Sequence, residues 1–339
     1  ALAYDIEADE FQIGKGEILM ISLVSENFKK VITWKKTSHK IDFVEYVKDE
    51  AELIEKFIEY VKKISPDFLV GYFSDGFDLP YLKARAEKYN IKLNLGLDNS
   101  QPKFSRSGIG MITVKISGIV HIDLLKFIQT AYSQYMQSET LSLNEVANEF
   151  LGDTKKEFKI KHSSKLEHKD WKNYFEYNLH DSVLTYNLFE KFWPDMIEFS
   201  RVMQEPLFNV SRNGMSSNVE DFIIHNLEKF NEIPEKRPTY DEVGERKKLG
   251  KYEGAFVFEP IPGLYENIAM FDFTSSYGST IVTYNLSKST YLGENLRDKK
   301  DSYNIEALNK KVFFSKKQGF FPEMLKEIIE KRKKFKEEL

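Results

Sequence analysis

Four acidic residues and a tyrosine have spacings that could bring carboxylates together. Asp5 and Glu7 are two apart in an alternating apolar segment, so on a strand both side chains project from one face. Tyr177 and Asp181 are four apart in a segment with helical spacing, so they share a helix face. Asp78 stands before a Leu-Pro pair, at a typical helix start where a carboxylate is favoured.

These carboxylates could bind divalent metal ions. Asp5 and Glu7 flank Ile6 in what should be a central strand, and buried carboxylates need a metal or a cationic partner. Four carboxylates with few matching cations suit hard ions such as Mg²⁺ or Mn²⁺. Each residue alone also has a plainer interpretation. An Asp at a helix start usually caps it, and an acidic residue on a helix usually faces solvent.

The composition narrows the possible function classes. The chain has 339 residues, a formal net charge of −4 and no cysteine. Disulfide scaffolds, thiolate zinc sites and cysteine nucleophiles are therefore excluded. The charge excludes chain-wide electrostatic binding of nucleic acid but allows local basic patches. No apolar run is long enough to cross a bilayer and no signal-peptide pattern opens the chain, so we expect a cytoplasmic protein without a membrane partner.

The periodicity of apolar residues predicts the elements that must position these side chains. Strands are predicted over residues 2–6, 18–24, 31–34, 68–72 and 268–273, and a hairpin over 111–123. Helices are predicted over residues 51–64, 80–90, 142–152, 170–192 and 319–339, with Pro194 breaking the fourth. Strands followed by intervening helices indicate a mixed α/β domain over residues 1–195.

Three segments, in this order, resemble the motifs of the DEDD 3′→5′ exonucleases, in particular the proofreading domain of archaeal-type family-B DNA polymerases. They are Asp5-Ile6-Glu7, the segment Gly71-Tyr-Phe-Ser-Asp-Gly-Phe-Asp-Leu-Pro-Tyr-Leu82, and Tyr177-Asn-Leu-His-Asp181. His121-Ile-Asp123 matches a strand end that recurs in this domain. The resemblance implies an RNase H-like exonuclease domain over residues 1–195, with a mixed sheet and flanking helices.

The second half resembles the polymerase part of the same family. Tyr252-Glu-Gly-Ala255 is similar to the segment that links exonuclease and palm, and Asp272–Ile281 is similar to polymerase motif A. The segment from Gly319 to Lys336 resembles the entry to the fingers helix. The resemblance implies a helical, basic connecting region over 196–251, the N-terminal part of an α+β palm over 252–315, and the start of the fingers helix over 316–339.

For the exonuclease site, the resemblance implies two bound Mg²⁺ or Mn²⁺ ions, held by Asp5, Glu7, Asp78 and Asp181. One ion would lower the pKa of an attacking water and the other would stabilise the leaving 3′ oxygen. Tyr177 would orient the water with its hydroxyl. The substrate would be a frayed, single-stranded 3′ end of DNA.

For the palm, the resemblance implies that Asp272 and the Phe273 carbonyl bind metal, with two ions per active site. Tyr277 would pack under the sugar of the incoming dNTP. Arg332 and Lys336, one helical turn apart, match positions that hold the triphosphate. Without the resemblance, this Lys/Arg-rich tail would be interpreted as a solvated helix face.

Three residues are expected to contact primer–template or single-stranded DNA: Phe73, Tyr252 and Gly254. Phe73 and Phe77 could stack on unpaired bases, although core packing is at least as good an interpretation of Phe77. Phe73 stands where the second exonuclease motif usually carries Asn. This departure concerns the positioning of the substrate and not the metal ligands.

The polymerase motifs are incomplete. Motif A carries Ser276 and Gly278 where Leu and Pro are usual, so we expect a looser turn. The chain has neither a Tyr-Gly-Asp-Thr-Asp segment nor a Lys-x₃-Asn-Ser-x-Tyr-Gly helix. The second palm aspartate and the fingers lysine are therefore missing. We expect polymerisation to need these motifs from a second polypeptide or from the rest of a longer protein.

Three interpretations of the function remain open at this point. The first is a large fragment or subunit of a family-B DNA polymerase whose self-contained activity is a 3′→5′ exonuclease. The second is a polymerase-derived scaffold that binds DNA or a partner but has lost its chemistry. The third is a free-standing RNA-processing exonuclease of the same fold, which explains residues 1–195 only.

Overall fold

The chain folds into two units. The computed structural model describes residues 1–37, 41–106, 111–153, 166–234, 236–250, 254, 256–294, 300–307 and 310–338. The first unit is Ala1–His225 and the second is Asn226–Leu339. The domain boundaries suggested by the sequence, after residues 195, 251 and 315, stay predictions.

The first unit is built on a mixed sheet. Its strands are β1 (Leu2–Ala8), β2 (Ile18–Ser25), β3 (Phe28–Thr33), β4 (Val44–Tyr46), β5 (Phe68–Gly71), β6 (Lys103–Arg106), β7 (Ile112–Lys115) and β8 (Val120–Asp123). Six of them form one sheet in the order β4-β3-β2-β1-β5-β8, while β6 and β7 form a separate antiparallel pair. Strand β1 is central, antiparallel to β2 and parallel to β5. The predicted mixed α/β architecture is confirmed.

Seven helices flank these strands in the described part of the first unit. They are α1 (Glu50–Ile64), α2 (Asp78–Lys88), α3 (Leu124–Ala131), α4 (Leu143–Leu151), α5 (His168–Met203), α6 (Leu207–Val210) and α7 (Met215–Asn226). Helix α4 begins at the N-cap Ser142, whose side chain accepts a hydrogen bond from the backbone N–H of Glu145, and ends at Gly152 in the left-handed conformation. Helix α2 begins at Asp78, as predicted.

Alternation along β1 assigns its side chains to two layers. Leu2, Tyr4 and Ile6 are buried in a core that includes residues of α1 and α2. Ala3 is buried in a second core with residues of α5, and Asp5 and Glu7 accept hydrogen bonds from that helix. The period of two therefore turns both carboxylates towards α5.

The predicted end of the long helix before Pro194 is wrong, because α5 continues to Met203 and ends where Gln204 is left-handed. A proline inside a helix costs roughly 3 kcal/mol. Phe192 and Met196, on either side of Pro194, are both fully buried in the second core. Burial of two such side chains contributes about 1.5–3 kcal/mol each, which offsets the defect.

The predicted hairpin over residues 111–123 is also wrong. Strand β7 pairs with β6, whereas β8 joins the main sheet parallel to β5. Only one antiparallel bridge, between Ile116 and Ile119, remains beside the turn at Gly118. Pairing with β5 buries Ile122 completely in the second core, which favours this arrangement over a two-stranded hairpin.

The second unit contains a small antiparallel sheet, three α-helices and two short 3-10 helices, Glu228–Phe230 and Lys288–Thr290, among its described residues. Its elements are α8 (Tyr240–Lys248), α9 (Ser276–Thr283), β9 (Tyr291–Glu294), β10 (Ser302–Ala307), β11 (Lys310–Ser315) and α10 (Phe320–Glu338). The strand order is β10-β11-β9, and α9 packs against α10. Helix α10 confirms the predicted helix over 319–339 within one residue at each end.

The predicted strand over residues 268–273 is wrong, because these residues form neither a strand nor a helix. Met270 is 93% exposed and Phe271 is 95% exposed. A strand needs a neighbour for its N–H and C=O groups, and none of the described strands pairs with this segment. None of the helices in the described part of the chain has the length and apolar character needed to cross a membrane.

Candidate metal centre

Three of the four predicted carboxylates converge beside β1. One carboxylate oxygen from each of Asp5, Glu7 and Asp181 lies within 4.8 Å of the other two. Asp5 and Glu7 come from the same face of β1, and Asp181 reaches them from α5. Asp181 is 2% exposed and the two strand residues are half-buried. The cluster is therefore acidic and largely shielded from water.

Asp78 lies next to this cluster but outside it. Its Oδ1 accepts a hydrogen bond of 3.3 Å from the backbone N–H of Ile6, the residue between Asp5 and Glu7. Burial raises the pKa of Asp78 to about 7, and the nearby Asp123 carboxylate adds to this rise. Hydrogen bonds from the backbone, including that of Ile6, act in the opposite direction. A cation placed beside Asp78 would favour its ionised form.

The donor set fits a hard divalent cation. Two oxygens bound to the same Mg²⁺ at about 2.1 Å are at most about 4.2 Å apart. The oxygens of Asp5, Glu7 and Asp181 lie within 4.8 Å of one another, so small side-chain movements would suffice. All donors are carboxylate oxygens, the ligand type that Mg²⁺ and Mn²⁺ prefer over nitrogen or sulfur.

Two residues of α5 that sequence reasoning missed hold these carboxylates in place. The hydroxyl of Tyr174 donates a 2.9 Å hydrogen bond to Oε2 of Glu7. Nδ2 of Asn178 donates a 2.7 Å hydrogen bond to Oδ2 of Asp5. Positions 174, 178 and 181 share a helix face, and this spacing is the signal that could have identified the pair. Burial and the charge of Glu7 raise the pKa of Tyr174 far above its usual value, so it stays a donor.

Tyr177, the tyrosine of the third motif, lies on the same helix. It is 8% exposed, and its ring centroid is 6.2 Å from that of Tyr174. Ser22 of β2 fixes this part of α5, because its Oγ donates to the carbonyl of Asn178 at 2.8 Å and lies 2.6 Å from Oγ of Ser182. The structure thus places Tyr177 next to the residue that contacts Glu7, and its predicted role stays a prediction.

The loop between β5 and α2, residues 72–77, delivers Asp78 to the site. Asp123, at the end of β8, accepts two backbone hydrogen bonds from this loop. Its Oδ1 accepts from the N–H of Phe73 at 2.9 Å, and its Oδ2 accepts from the N–H of Asp75 at 3.0 Å. Burial raises the pKa of Asp123, and the charge of Asp75 adds to the rise. The matched segment His121-Ile-Asp123 therefore anchors the loop.

Phe73 and Phe77 have different surroundings. Phe77 packs against the first core, with its ring 5.4 Å from that of Tyr81, so core packing is the correct interpretation of this residue. Phe73 is 50% exposed and left-handed, with φ of 62°. Its ring lies over Gly76, where a Cβ would come within 2.5 Å of two ring carbons. A cavity of about 380 Å³ borders the exposed part of Phe73.

Ser74, His121 and Asp75 have the connections of a nucleophilic triad but not its accessibility. Oγ of Ser74 is 2.9 Å from Nε2 of His121, and Nδ1 of His121 is 3.4 Å from Oδ1 of Asp75. All three residues are 0% exposed, so no substrate can reach the serine hydroxyl. This buried group of Ser74, His121 and Asp75 therefore has a structural role.

The residues predicted for the palm lie in the second unit and are all exposed. Asp272 and Phe273 precede α9, and Tyr277 lies in its first turn. Arg332 and Lys336 are one turn apart on α10. Among the residues that the structure describes, no second group of three metal-binding side chains occurs.

Two residues predicted to contact DNA lie in the segment that links the predicted exonuclease and palm. Gly254 is exposed. Tyr252 lies outside the described residues. Their predicted contacts with primer–template DNA stay predictions.

Two sequence profiles match the chain. The profile described as "DNA polymerase family B, exonuclease domain" matches residues 1–146. The profile described as "DNA polymerase family B" matches residues 206–339. Both halves of the chain therefore resemble one family, in the order that the motifs predicted.

Curated and solved relatives agree with these profiles. A DNA polymerase of Pyrococcus glycovorans is 34% identical over 343 residues, which cover all of this chain and 43% of the relative. A DNA polymerase of Thermococcus litoralis is 33% identical and is covered to 20%. The structure of the family B DNA polymerase from Pyrobaculum calidifontis matches with a TM-score of 0.72 and 26% identity, over 99% of this chain and 42% of that one. The chain thus spans less than half the length of the relatives it matches.

Proposed function

Because the chain belongs to DNA polymerase family B, we propose that its first unit is a metal-dependent 3′→5′ exonuclease that acts on a single-stranded DNA end. The observation that carries this proposal is the convergence of Asp5, Glu7 and Asp181 beside β1. These residues come from the first and third matched motifs, 174 or more residues apart in the chain. Three carboxylate oxygens that converge in this way are the ligand type that hard divalent cations prefer.

In the proposed site, Asp5, Glu7, Asp78 and Asp181 hold two Mg²⁺ or Mn²⁺ ions. When bound, such ions lower the pKa of an attacking water and stabilise the leaving 3′ oxygen. The chain's own residues fix the ligands before any ion arrives. The hydrogen bond from the N–H of Ile6 holds the Asp78 carboxyl at the backbone of β1, at the residue between Asp5 and Glu7.

Residues of α5 and of the loop 72–77, between β5 and α2, would complete the exonuclease site. Tyr174 and Asn178 orient the Glu7 and Asp5 carboxylates through their hydrogen bonds. Tyr177 would orient the attacking water. Phe73, half exposed beside a cavity of about 380 Å³, would stack on an unpaired base near the 3′ end.

We further propose that the second unit is part of a polymerase palm with the first turns of the fingers helix. Asp272 and the Phe273 carbonyl would bind metal, and Tyr277 would contact the sugar of the dNTP. Arg332 and Lys336 would hold its triphosphate. The match of residues 206–339 to the polymerase profile supports this assignment.

The polymerase site would be completed by a second polypeptide or by the rest of a longer protein. That polypeptide or region would have to supply the second catalytic aspartate and the fingers lysine, because their motifs do not occur in this sequence. Tyr252 and Gly254 would contact the primer–template DNA. Large apolar residues between Phe256 and Phe273 are exposed, which is consistent with a surface that the remaining palm covers.

Digestion of a 5′-labelled single-stranded DNA in Mg²⁺ tests the exonuclease. The wild-type chain should shorten the strand stepwise, and Asp5→Ala/Glu7→Ala should lose orders of magnitude in rate because ligands of the metals are gone. A matched control is Asp42→Ala/Glu55→Ala, which removes two exposed carboxylates of the same unit and should digest at the wild-type rate. A strand that stays at full length with every protein would contradict the exonuclease and favour the scaffold. Preference for an RNA strand would favour an RNA-processing enzyme.

A further inference from the structure

Arg212 links a segment beyond the matched exonuclease domain to the loop that carries Asp78. It lies between α6 and α7, within residues 206–339 that match the polymerase profile, whereas the exonuclease profile ends at residue 146. Its side chain is only 6% exposed. A guanidinium stays charged in proteins, so its burial requires partners that compensate the charge.

The guanidinium contacts two residues of the exonuclease core, Asp75 and His121, and one of its terminal nitrogens also donates to Phe208 and Ser211 of its own segment. Nε donates to Oδ2 of Asp75 at 2.8 Å. One terminal nitrogen donates to the carbonyl of His121 at 2.8 Å, and the other lies 3.0 Å from Nδ1 of the same residue. The ring of Phe208 covers the guanidinium at 4.1 Å. Arg212 is therefore held in one orientation by polar and aromatic contacts.

Asp75 is the centre of this network. In addition to Arg212, its carboxylate accepts hydrogen bonds of 2.8 Å from Nζ of Lys126 and 2.8 Å from the N–H of Val114. Although burial alone would raise the pKa of Asp75, hydrogen bonds and charges from His121 and Arg212 hold it well below its usual range. The carboxylate thus remains ionised and binds all of these partners together.

The network fixes the position of Asp78. Asp75 lies in the loop before α2, three residues ahead of Asp78, and Asp123 fixes the same loop through the backbone of Phe73 and Asp75. We propose that Arg212 is a positioning residue of the exonuclease site, which acts through Asp75 to hold this loop and so keeps Asp78 beside β1. The inference rests on the proposed function, because it assigns Arg212 a role in metal binding and DNA cleavage.

Removing such a supporting contact typically costs about 10–100-fold in metal affinity or activity. Arg212→Ala leaves Asp75 with Lys126 as its cation but removes the guanidinium that joins Asp75 of the loop to His121 of β8. We expect an apparent Kd for Mn²⁺ about 10-fold higher, with a similar loss in the single-turnover cleavage rate. Affinity for single-stranded DNA should be unchanged. Arg212→Lys keeps a charge near Asp75 but lacks the planar fork, so it should restore part of the loss.

The experiment uses the full chain and two readouts. Mn²⁺ binding without DNA is followed by electron paramagnetic resonance, and cleavage of 5′-labelled single-stranded DNA is measured at saturating enzyme. The matched control is Arg201→Ala, because Arg201 is an exposed arginine of the same unit whose side chain is 72% exposed. Thermal unfolding defines a temperature at which each variant is folded.

The behaviour of the wild-type chain distinguishes a failure of the proposed exonuclease function from a failure of the role proposed for Arg212. If it neither binds Mn²⁺ nor cleaves DNA, the proposed function fails. If it does both, and folded Arg212→Ala matches it in Mn²⁺ affinity and cleavage rate, only the role of Arg212 is overturned. If Arg212→Ala does not fold, Arg212→Lys decides: a reduced Mn²⁺ affinity with unchanged DNA affinity supports the proposal, and wild-type values for both overturn it.

Discussion

The hydroxyl of Tyr174 donates a 2.9 Å hydrogen bond to the Glu7 carboxylate, across 167 positions of sequence. This contact joins α5 to the central strand at the acidic cluster. It adds a second tyrosine to the one that the third motif contains, Tyr177. The two rings are neighbours, with centroids 6.2 Å apart. We assign Tyr174 to the orientation of Glu7, and Tyr177 remains the candidate that orients water.

Tyr174→Phe should weaken metal binding without unfolding the chain. The change removes one hydrogen bond to Glu7, and the loss of such support typically costs about 10–100-fold in metal affinity or activity. We expect the apparent Kd for Mn²⁺ to rise and the digestion of single-stranded DNA to slow. Tyr135→Phe is the control, because Tyr135 is 75% exposed. Wild-type Mn²⁺ affinity in Tyr174→Phe would contradict the assignment.

Two substitutions at Phe73 separate backbone strain from base stacking. The left-handed conformation at φ 62° costs a non-glycine residue about 1–2 kcal/mol, and Asn tolerates it better than other residues. Phe73→Asn should therefore be more stable in urea than Phe73→Ala by about 1 kcal/mol. Both variants should bind single-stranded DNA more weakly, because stacking contributes about 1–3 kcal/mol per base. Wild-type DNA affinity in both variants would exclude Phe73 as a stacking surface.

The buried pair of Glu50 and Arg85 should be important for stability and not for cleavage. Glu50 accepts hydrogen bonds from Arg85, from the hydroxyl of Tyr89 and from the N–H of Ile18. Glu50→Ala leaves a buried guanidinium without its carboxylate, so we expect a loss of about 3–5 kcal/mol in the free energy of unfolding. Glu59→Ala, at an exposed pair with Lys56, should leave the free energy of unfolding nearly unchanged, because solvent screens such a pair. Equal losses in urea unfolding would refute the distinction.

Asp75 should make the chain sensitive to acid. Its pKa in the folded chain lies well below the usual value of 3.8. The unfolded state therefore takes up a proton first, and the contribution of Asp75 to stability is present above pH 3.8 and is lost as pH falls below it. We expect the urea midpoint to fall more steeply between about pH 5 and pH 3 in the wild type than in Asp75→Asn. Parallel slopes would show that Asp75 does not cause the effect.

Local patterns were sufficient to predict the strand carboxylates and the helix start at Asp78. The period of two placed Asp5 and Glu7 on one face, and the motif order pointed to Asp181. The sequence alone did not show which face of α5 turns towards β1. Tyr174 and Asn178 were missed for that reason, although they share a helix face with Asp181. Their role depends on contacts across more than 160 positions of sequence.

The secondary-structure predictions from sequence were wrong where tertiary packing outweighs local conformational preference. Pro194 favours a break, but the burial of Phe192 and Met196 continues α5 beyond it. The segment 111–123 has a turn at its centre, but β8 pairs with β5, where Ile122 is completely buried. The apolar run over 268–273 is typical of a strand, yet none of the described strands pairs with it. Local sequence carries no information about whether such a partner exists.

The contact between Phe73 and Gly76 constrains the evolution of this loop. A Cβ at position 76 would come within 2.5 Å of two carbons of the aromatic ring, so a non-glycine residue there requires the Phe73 side chain to move. Replacement of Phe73 by a smaller residue meets no such obstacle. A smaller residue at position 73 would therefore make a side chain at position 76 easier to accommodate, so substitutions at the two positions are coupled.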